Sequence, residues 1–215
     1  MTPDVAAAGR RARSPRGQGR RLRAEIVEAT ERLLLETGSS EAVSIRAVAD
    51  AVGVTAPSIY RHFPDKRALI FEVCNRHFAA LDAFMGQGAD ATDDPVEALA
   101  ALGRAYIDFG VGNPEYYRIM FMTRWDETPE EYRDGRLGDL VAFGRAIRVV
   151  QDCIDAGRLR PEHSDAVRVA MGFWARAHGL TSLLVSKPQF PWPADRDRFI
   201  DEYVDSCLQG LVRDH

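Results

Sequence analysis

V-A-D-A-V-G-V-T-A-P-S-I-Y-R-H-F-P, Val48 to Pro64, decides the fold class. It reads as two short helices broken at Val52-Gly53-Val54. Ile45, Val48, Ala49 and Val52 give the first an apolar face, and Gly53 ends it. Thr55 is placed to N-cap the second helix, and Pro57 sits in its first turn, where a missing N–H costs little. That second helix has one core residue, Ile59, among small and polar neighbours. It then runs into an aromatic and basic cluster. Such a pair is the pattern of a helix-turn-helix, whose second helix enters the DNA major groove.

The flanks agree with this. Upstream, Leu22, Ile26, Ala29, Leu33 and Leu34 form one stripe at helical spacing, so a helix is expected from about Arg21, with Gly38 as its C-terminal cap. Ser44 is placed to cap the next helix. Downstream, Pro64 stops the recognition helix, and Asp65 can cap a longer one through about Phe84. Met85 to Asp94 reads as a loop and the best internal break. Helices are then expected near 95–112, 114–123, 136–157, 163–186 and 195–212. No stretch shows sustained period-2 alternation, so the expected class is all-α. The organisation expected is an Arg-rich tail over 1–20, a three-helix DNA-binding domain over 21–70, and a helical effector-binding and dimerisation domain over 71–215.

Net charge is −4 over 215 residues, which by itself argues against a nucleic-acid binder. The distribution reverses that argument. Residues 1–70 hold 12 Lys/Arg against 8 Asp/Glu, and the remainder 16 against 24. One end suits phosphate and the other does not. Seven arginines fall in the first 23 residues. They suit either an arm in the minor groove or a solvated leader that adds nonspecific attraction.

On the recognition helix, Thr55, Ala56, Pro57 and Ser58 are small enough to let the backbone approach base edges. Their hydroxyls and methyls can read bases. Tyr60 and His62 can reach flanking phosphates. Lys66 adds a phosphate contact from the first turn of the next helix, and Arg46 is a further candidate.

The stretch S-I-R-A-V-A-D-A-V-G-V-T-A-P-S-I-Y-R-H-F-P-D-K-R-A-L-I, Ser44 to Ile70, resembles the DNA-binding domain of the tetracycline-repressor (TetR) family. The I-Y-x-x-F-x-x-K run, Ile59 to Lys66, carries most of the likeness. The resemblance implies an all-helical homodimer that binds double-stranded operator DNA and is usually released by a small molecule. By position it implies phosphate contacts at Tyr60 and Lys66 and base reading at Thr55 to Ser58. Many members have Lys where this chain has Ala56. Two further fragments, N-P-E-Y-Y-R-I-M-F from Asn113 and W-A-R-A-H-G-L from Trp174, resemble regulators with a Trp-x-x-x-His-Gly signature in the C-terminal domain.

In the C-terminal half, Tyr106, Phe109, Tyr117, Met120, Phe121, Met122, Trp125, Phe143, Trp174 and His178 are many large soft side chains for one domain. They suit a core or a pocket. Trp174 and His178, four apart, share a helix face. An imidazole among aromatics is the polar point that an apolar ligand site needs. The expected effector site is therefore Tyr106, Phe109, Tyr117, Phe121, Trp174 and His178, for a small hydrophobic or amphipathic molecule. Dimerisation is expected through the last two helices. Ala170, Gly172, Ala177 and Gly179 would allow close packing of the first, and Phe199, Tyr203, Cys207, Gly210 and Leu211 would line the second.

Other classes are disfavoured. The five histidines have no His-x-x-x-His or Cys-x-x-Cys partner for a metal. There is no Gly-x-Ser-x-Gly elbow, phosphate loop or dinucleotide fingerprint, so no catalytic site, metal or cofactor is expected. A dimeric DNA-binding regulator that senses no ligand is the alternative, and a helical enzyme a remote one. Cys74, Cys153 and Cys207 read as buried reduced thiols of a cytoplasmic protein. No apolar run approaches a membrane span, and nothing resembles a signal peptide.

Overall fold

The computed structural model describes residues 18–122 and 138–213, which divide into two compact units between Cys74 and Asn75. The first unit holds α1 (Gln18–Thr37), α2 (Ile45–Val52), α3 (Ala56–Tyr60) and the opening turns of α4 (Lys66–Ala89). Ile26, Ala29 and Leu34 of α1 are buried with Val48 and Ala49 of α2, Ile59 of α3, and Leu69, Ile70 and Val73 of α4. Of these, Ile26, Ala29, Leu34, Val48, Ala49 and Ile59 are positions that helical spacing marks out, whereas Leu22 and Leu33 of the same stripe are half-buried.

Local chemistry sets the helix ends. Ser44 Oγ accepts from the Ala47 N–H at 3.1 Å. Gly53 closes α2 with φ 73°, a left-handed conformation that costs a residue with a Cβ. The Gly53 N–H then reaches Asp50 O at 3.2 Å, and the Val54 N–H reaches Ala49 O at 2.9 Å, the double closure of a Schellman turn. Asp65 Oδ1 accepts from the Ala68 N–H at 2.7 Å and opens α4. Thr55 stands at the N-cap of α3, but its side chain does not cap the backbone. Its hydroxyl is instead 3.1 Å from Ser58 Oγ.

Several helix ends differ from the sequence expectation by a few residues, and two of them change the reading of a neighbouring segment. Helix α1 starts at Gln18, so residues 18–20 are helical rather than tail. This turn includes Gly19, a poor helix former, so it is held as an extension of the helix that follows rather than by its own propensity. The rest of the Arg-rich tail lies outside the described residues. Helix α4 continues to Ala89, through Gly86 and Gly88, because its apolar stripe continues: Phe78, Leu81, Met85 and Ala89 are all buried.

The second unit contains the rest of α4, α5 (Pro95–Gly112), α6 (Pro114–Met122), α7 (Gly138–Asp155), α8 (Ala166–Ser186) and α9 (Arg196–Gln209). Helix α5 packs on α7, α8 and α9 and forms the centre of the unit. It lies close to α8 because two of its contact positions have no side chain. A Cβ on Gly110 would sit 2.3 Å from Thr181 Cγ2, and one on Gly103 would sit 2.7 Å from Phe173 Cζ. Arg104 ties α5 to α9, bridging Asp108 at 2.8 Å, Asp197 at 2.8 Å and Asp201. Arg145 of α7 bridges Asp82 of α4 at 2.9 Å and Asp90 at 3.2 Å.

Among the described residues the only strand-like pairing is one antiparallel bridge, Leu159 with Val212, which period-2 reading could not reveal. The small residues of α8 do not share a face. Ala170 and Ala177 are buried within the unit, whereas Gly172 and Gly179 are exposed with nothing near a built Cβ. Positions 170 and 172 are about 200° apart on a helix, so the four cannot line one interface. Cys207 and Leu211 are likewise buried in this unit's own core. The three cysteines are buried and unbridged. Burial pushes the Cys153 thiol up to about 12. No described helix is long and apolar enough to cross a membrane.

Candidate DNA-binding face and effector cavity

Helix α3 is five residues long and buries only Ile59, which anchors it from beneath. Tyr60 is 53% exposed, and Arg46, Thr55 and Pro57 are also exposed. Ala56 and Ser58 are half-buried. A polar chain runs along this surface: Thr55 Oγ1 lies 3.1 Å from Ser58 Oγ, which accepts from Arg61 Nη2 at 3.2 Å. Arg61 therefore positions the Ser58 hydroxyl, a role that spacing alone did not assign.

Two basic residues near this face are held by the protein itself. Lys66 Nζ donates to Ser40 O at 3.0 Å, which leaves two of its three ammonium protons for another acceptor. Arg23 bonds Glu72 at 2.7 Å and lies 4.8 Å over the Phe63 ring. The His62 pKa is lowered, first by burial and then by the charges of Arg61 and Arg23. In the free protein at neutral pH its imidazole is uncharged, and a phosphate would favour the proton it lacks.

The second unit encloses a cavity of about 270 Å³. Phe78, Leu81 and Met85 of α4 form one wall, and Leu102, Gly103 and Tyr106 of α5 a second. Phe121 of α6 and Ala142, Phe143 and Ala146 of α7 add a third. Helix α8 completes it with Ala170, Met171, Phe173, Trp174 and Ala177. Met171 and Trp174 are 52% and 37% exposed, so the cavity reaches solvent along α8.

Beside the cavity lies a polar network. The hydroxyls of Tyr106 and Tyr117 each lie 2.8 Å from His178 Nδ1. Tyr117 also reaches Ser182 Oγ at 2.9 Å and donates to His178 O at 3.2 Å. Phe121 and Trp174 close around the imidazole, with ring centroids 5.0 and 5.4 Å from it. Burial lowers the His178 pKa and raises those of both tyrosines, so all three groups are neutral at pH 7.

Family models cover both units. Residues 26–73 match the one described as bacterial regulatory proteins, tetR family, and residues 99–207 match a tetracyclin repressor-like C-terminal domain. The second match alone spans half of the chain. The chain belongs to the TetR family.

This TetR-family protein is 27% identical over 191 residues to the HTH-type transcriptional activator FasR of Mycolicibacterium smegmatis. That alignment covers 89% of this chain and 80% of FasR. Over 80 residues it is 36% identical to the HTH-type transcriptional repressor KstR of Mycobacterium tuberculosis, covering 37% of this chain and 36% of KstR. A solved structure from Rhodococcus sp. RHA1, of a protein of unknown function, superposes with a TM-score of 0.73 at 22% identity. It covers 89% of this chain and 96% of its own, and carries the likeness of fold alone. The protein is a DNA-binding transcription regulator, not an enzyme.

The residues expected to hold an effector divide into three groups. Tyr106, Phe121 and Trp174 line the cavity. Tyr117 and His178 form the network behind it. Phe109 is not among the lining residues, and its ring lies 6.0 Å from Phe84. Trp125 and the Met122 side chain lie outside the described residues. The cavity wall supplied by α4 escaped the sequence reading. Its signal was the 78-81-85 apolar spacing, visible but indistinguishable from ordinary core.

Proposed function

We propose that this TetR-family regulator is a homodimeric repressor of the Trp-x-x-x-His-Gly type, released from a palindromic operator by a small hydrophobic or amphipathic effector. The base readers are Thr55, Ala56, Pro57 and Ser58, and the phosphate contacts are Arg46, Tyr60, His62 and Lys66. The effector occupies the second unit's cavity, with Tyr106, Phe121 and Trp174 on its wall and Tyr117 and His178 behind them. The single observation that carries the sensory reading is the shared helix. Helix α4 supplies Lys66 to the DNA-binding unit and Phe78, Leu81 and Met85 to the cavity wall. A ligand that favours one setting of α4 shifts DNA affinity only through its preference for that setting. The exposed stripe of Met171, Gly172, Gly179 and Leu183 on α8 supports pairing with a second copy.

The test is selection of random duplexes on the full chain, followed by footprinting. Two half-sites on a pseudo-palindrome are expected, because one short recognition helix contacts too few base pairs for useful specificity. A monomer on one unsymmetrical site would sink the dimer. A cavity ligand should weaken binding to the selected duplex. A ligand that binds with no effect on that duplex would leave the regulator blind to it.

A further inference from the structure

The composition of the cavity wall restricts what it can hold. Among the described residues lining it, none is charged. Only Tyr106 and Trp174 carry a side-chain nitrogen or oxygen. An ion entering this space leaves water without meeting an opposite charge on those described residues, which do not repay the loss. We propose that the effector is an uncharged, mostly apolar molecule with one hydrogen-bonding oxygen, held by the Tyr106 hydroxyl. This inference rests on the reading of the cavity as the effector site.

The hydroxyl is suited to either polarity of partner. One lone pair on His178 Nδ1 serves one proton, yet two hydroxyls stand 2.8 Å away. Tyr117 has other acceptors in Ser182 Oγ and His178 O, so Tyr106 can take the lone pair and present its own oxygen to an alcohol. With the imidazole in its other neutral tautomer, Nδ1–H donates to the tyrosine oxygens. The Tyr106 proton can then turn from the Tyr117 oxygen to a ketone or an ester. Neither arrangement creates a charge. The volume of about 270 Å³ lies near the lower end of the range for small-molecule pockets.

Calorimetric titration of the full chain at pH 7.5 with 1-decanol, 2-decanone, decanoate and decylammonium tests this. The two neutral probes should bind within about tenfold of each other, and both ions about a hundredfold or more weaker. Tyr106→Phe keeps the ring and should weaken both neutral probes by about two- to tenfold. Decanoate binding as tightly as decanol, with His178 taking up a proton, overturns the proposal. So does neutral-probe binding unchanged in Tyr106→Phe, or no binding of either neutral probe up to its solubility. Failures of the two readings separate on the selected duplex. If decanol binds as stated but leaves duplex affinity unchanged, the ligand class stands and the regulatory reading falls. If decanoate releases the duplex and decanol does not, the regulatory reading stands and the ligand class falls.

Discussion

The Tyr106 hydroxyl lies 2.8 Å from His178 Nδ1, across 72 residues of chain, and Tyr106 is 4% exposed. The imidazole is therefore one polar partner of a buried phenol that stands beside an apolar cavity. Replacing it has two consequences. His178→Phe removes the nitrogen beside the Tyr106 hydroxyl, which is left with Tyr117 and the Trp174 indole, while Tyr117 retains Ser182. The expected cost is about 0.5–1.5 kcal/mol, the net worth of one hydrogen bond. Tyr106→Phe in the same chain should recover much of it. Chemical denaturation of the two single variants and the double variant measures the coupling. Additive losses would show that the two groups do not depend on each other.

Trp174 is a wall rather than a core residue. Its ring is 37% exposed and already faces empty volume. Trp174→Ala should cost about 1–3 kcal/mol, below the 3–5 kcal/mol typical of a fully buried large aromatic. Effector affinity should fall much further than stability does. Thermal melts and ligand titration on one preparation check both. A loss above that range with ligand binding retained would make the ring a core element.

Gly110 sets how near α5 can come to α8. Gly110→Ala places a methyl in contact with Thr181 Cγ2 and 3.0 Å from Tyr117 Cδ2, neither of which is the free end of a flexible chain. A loss of about 1–3 kcal/mol is expected from overpacking. Thr181→Ser removes the opposing methyl and keeps the hydroxyl bonded to Ala177 O. The double variant should be more stable than Gly110→Ala alone, as urea denaturation would reveal.

At the DNA face, Lys66 has both a tether and a charge. Lys66→Gln keeps a donor for Ser40 O and removes the ammonium, so the loop should hold while phosphate neutralisation is lost. The salt slope of binding should become shallower by about one unit, with similar weakening on every duplex. Tyr60→Phe should weaken all duplexes alike with the slope unchanged, because a phenol carries no charge. Ser58→Ala should instead alter base preference. Binding isotherms at several salt concentrations distinguish the three. A change of sequence preference in Lys66→Gln, with its slope intact, would contradict the phosphate role.

His178 also predicts a pH dependence of stability. Its folded-state pKa is lowered from the ordinary 6.5 by burial, so the unfolded chain binds the proton more readily. Stability from this group is complete above about pH 6.5 and is lost as pH falls through the lower folded value. His178→Gln should flatten that part of the curve in denaturation series between pH 8 and pH 5. A wild-type and variant difference that is constant across the range would mean the imidazole does not titrate on unfolding.

The helix-turn-helix was legible because its instructions are local. Ser44, Gly53 and Asp65 act on backbone groups within a few residues of themselves, so a one-dimensional reading captures them. Helix ends set by tertiary support were less legible. Helix α4 outruns its expected stop at Phe84 because Met85 and Ala89 are both buried, Met85 against cavity residues far along the chain. The site followed the same division. Periodicity identified Trp174 and His178 as one face, but the partners of that face come from α5 and α6, 61 to 72 residues away. An apolar stripe says which side of a helix avoids water. It does not say whether the facing side chains fill the space or leave about 270 Å³ of it open. Sequence by itself determined the fold class, the helix-turn-helix and the excess of basic residues at that end of the chain. Only the packing of five helices decided that Phe109 falls outside the cavity and that Phe78, Leu81 and Met85 line it. It also turned Ala170 and Ala177 inward, because side-chain volume is balanced across neighbours that the chain does not place side by side.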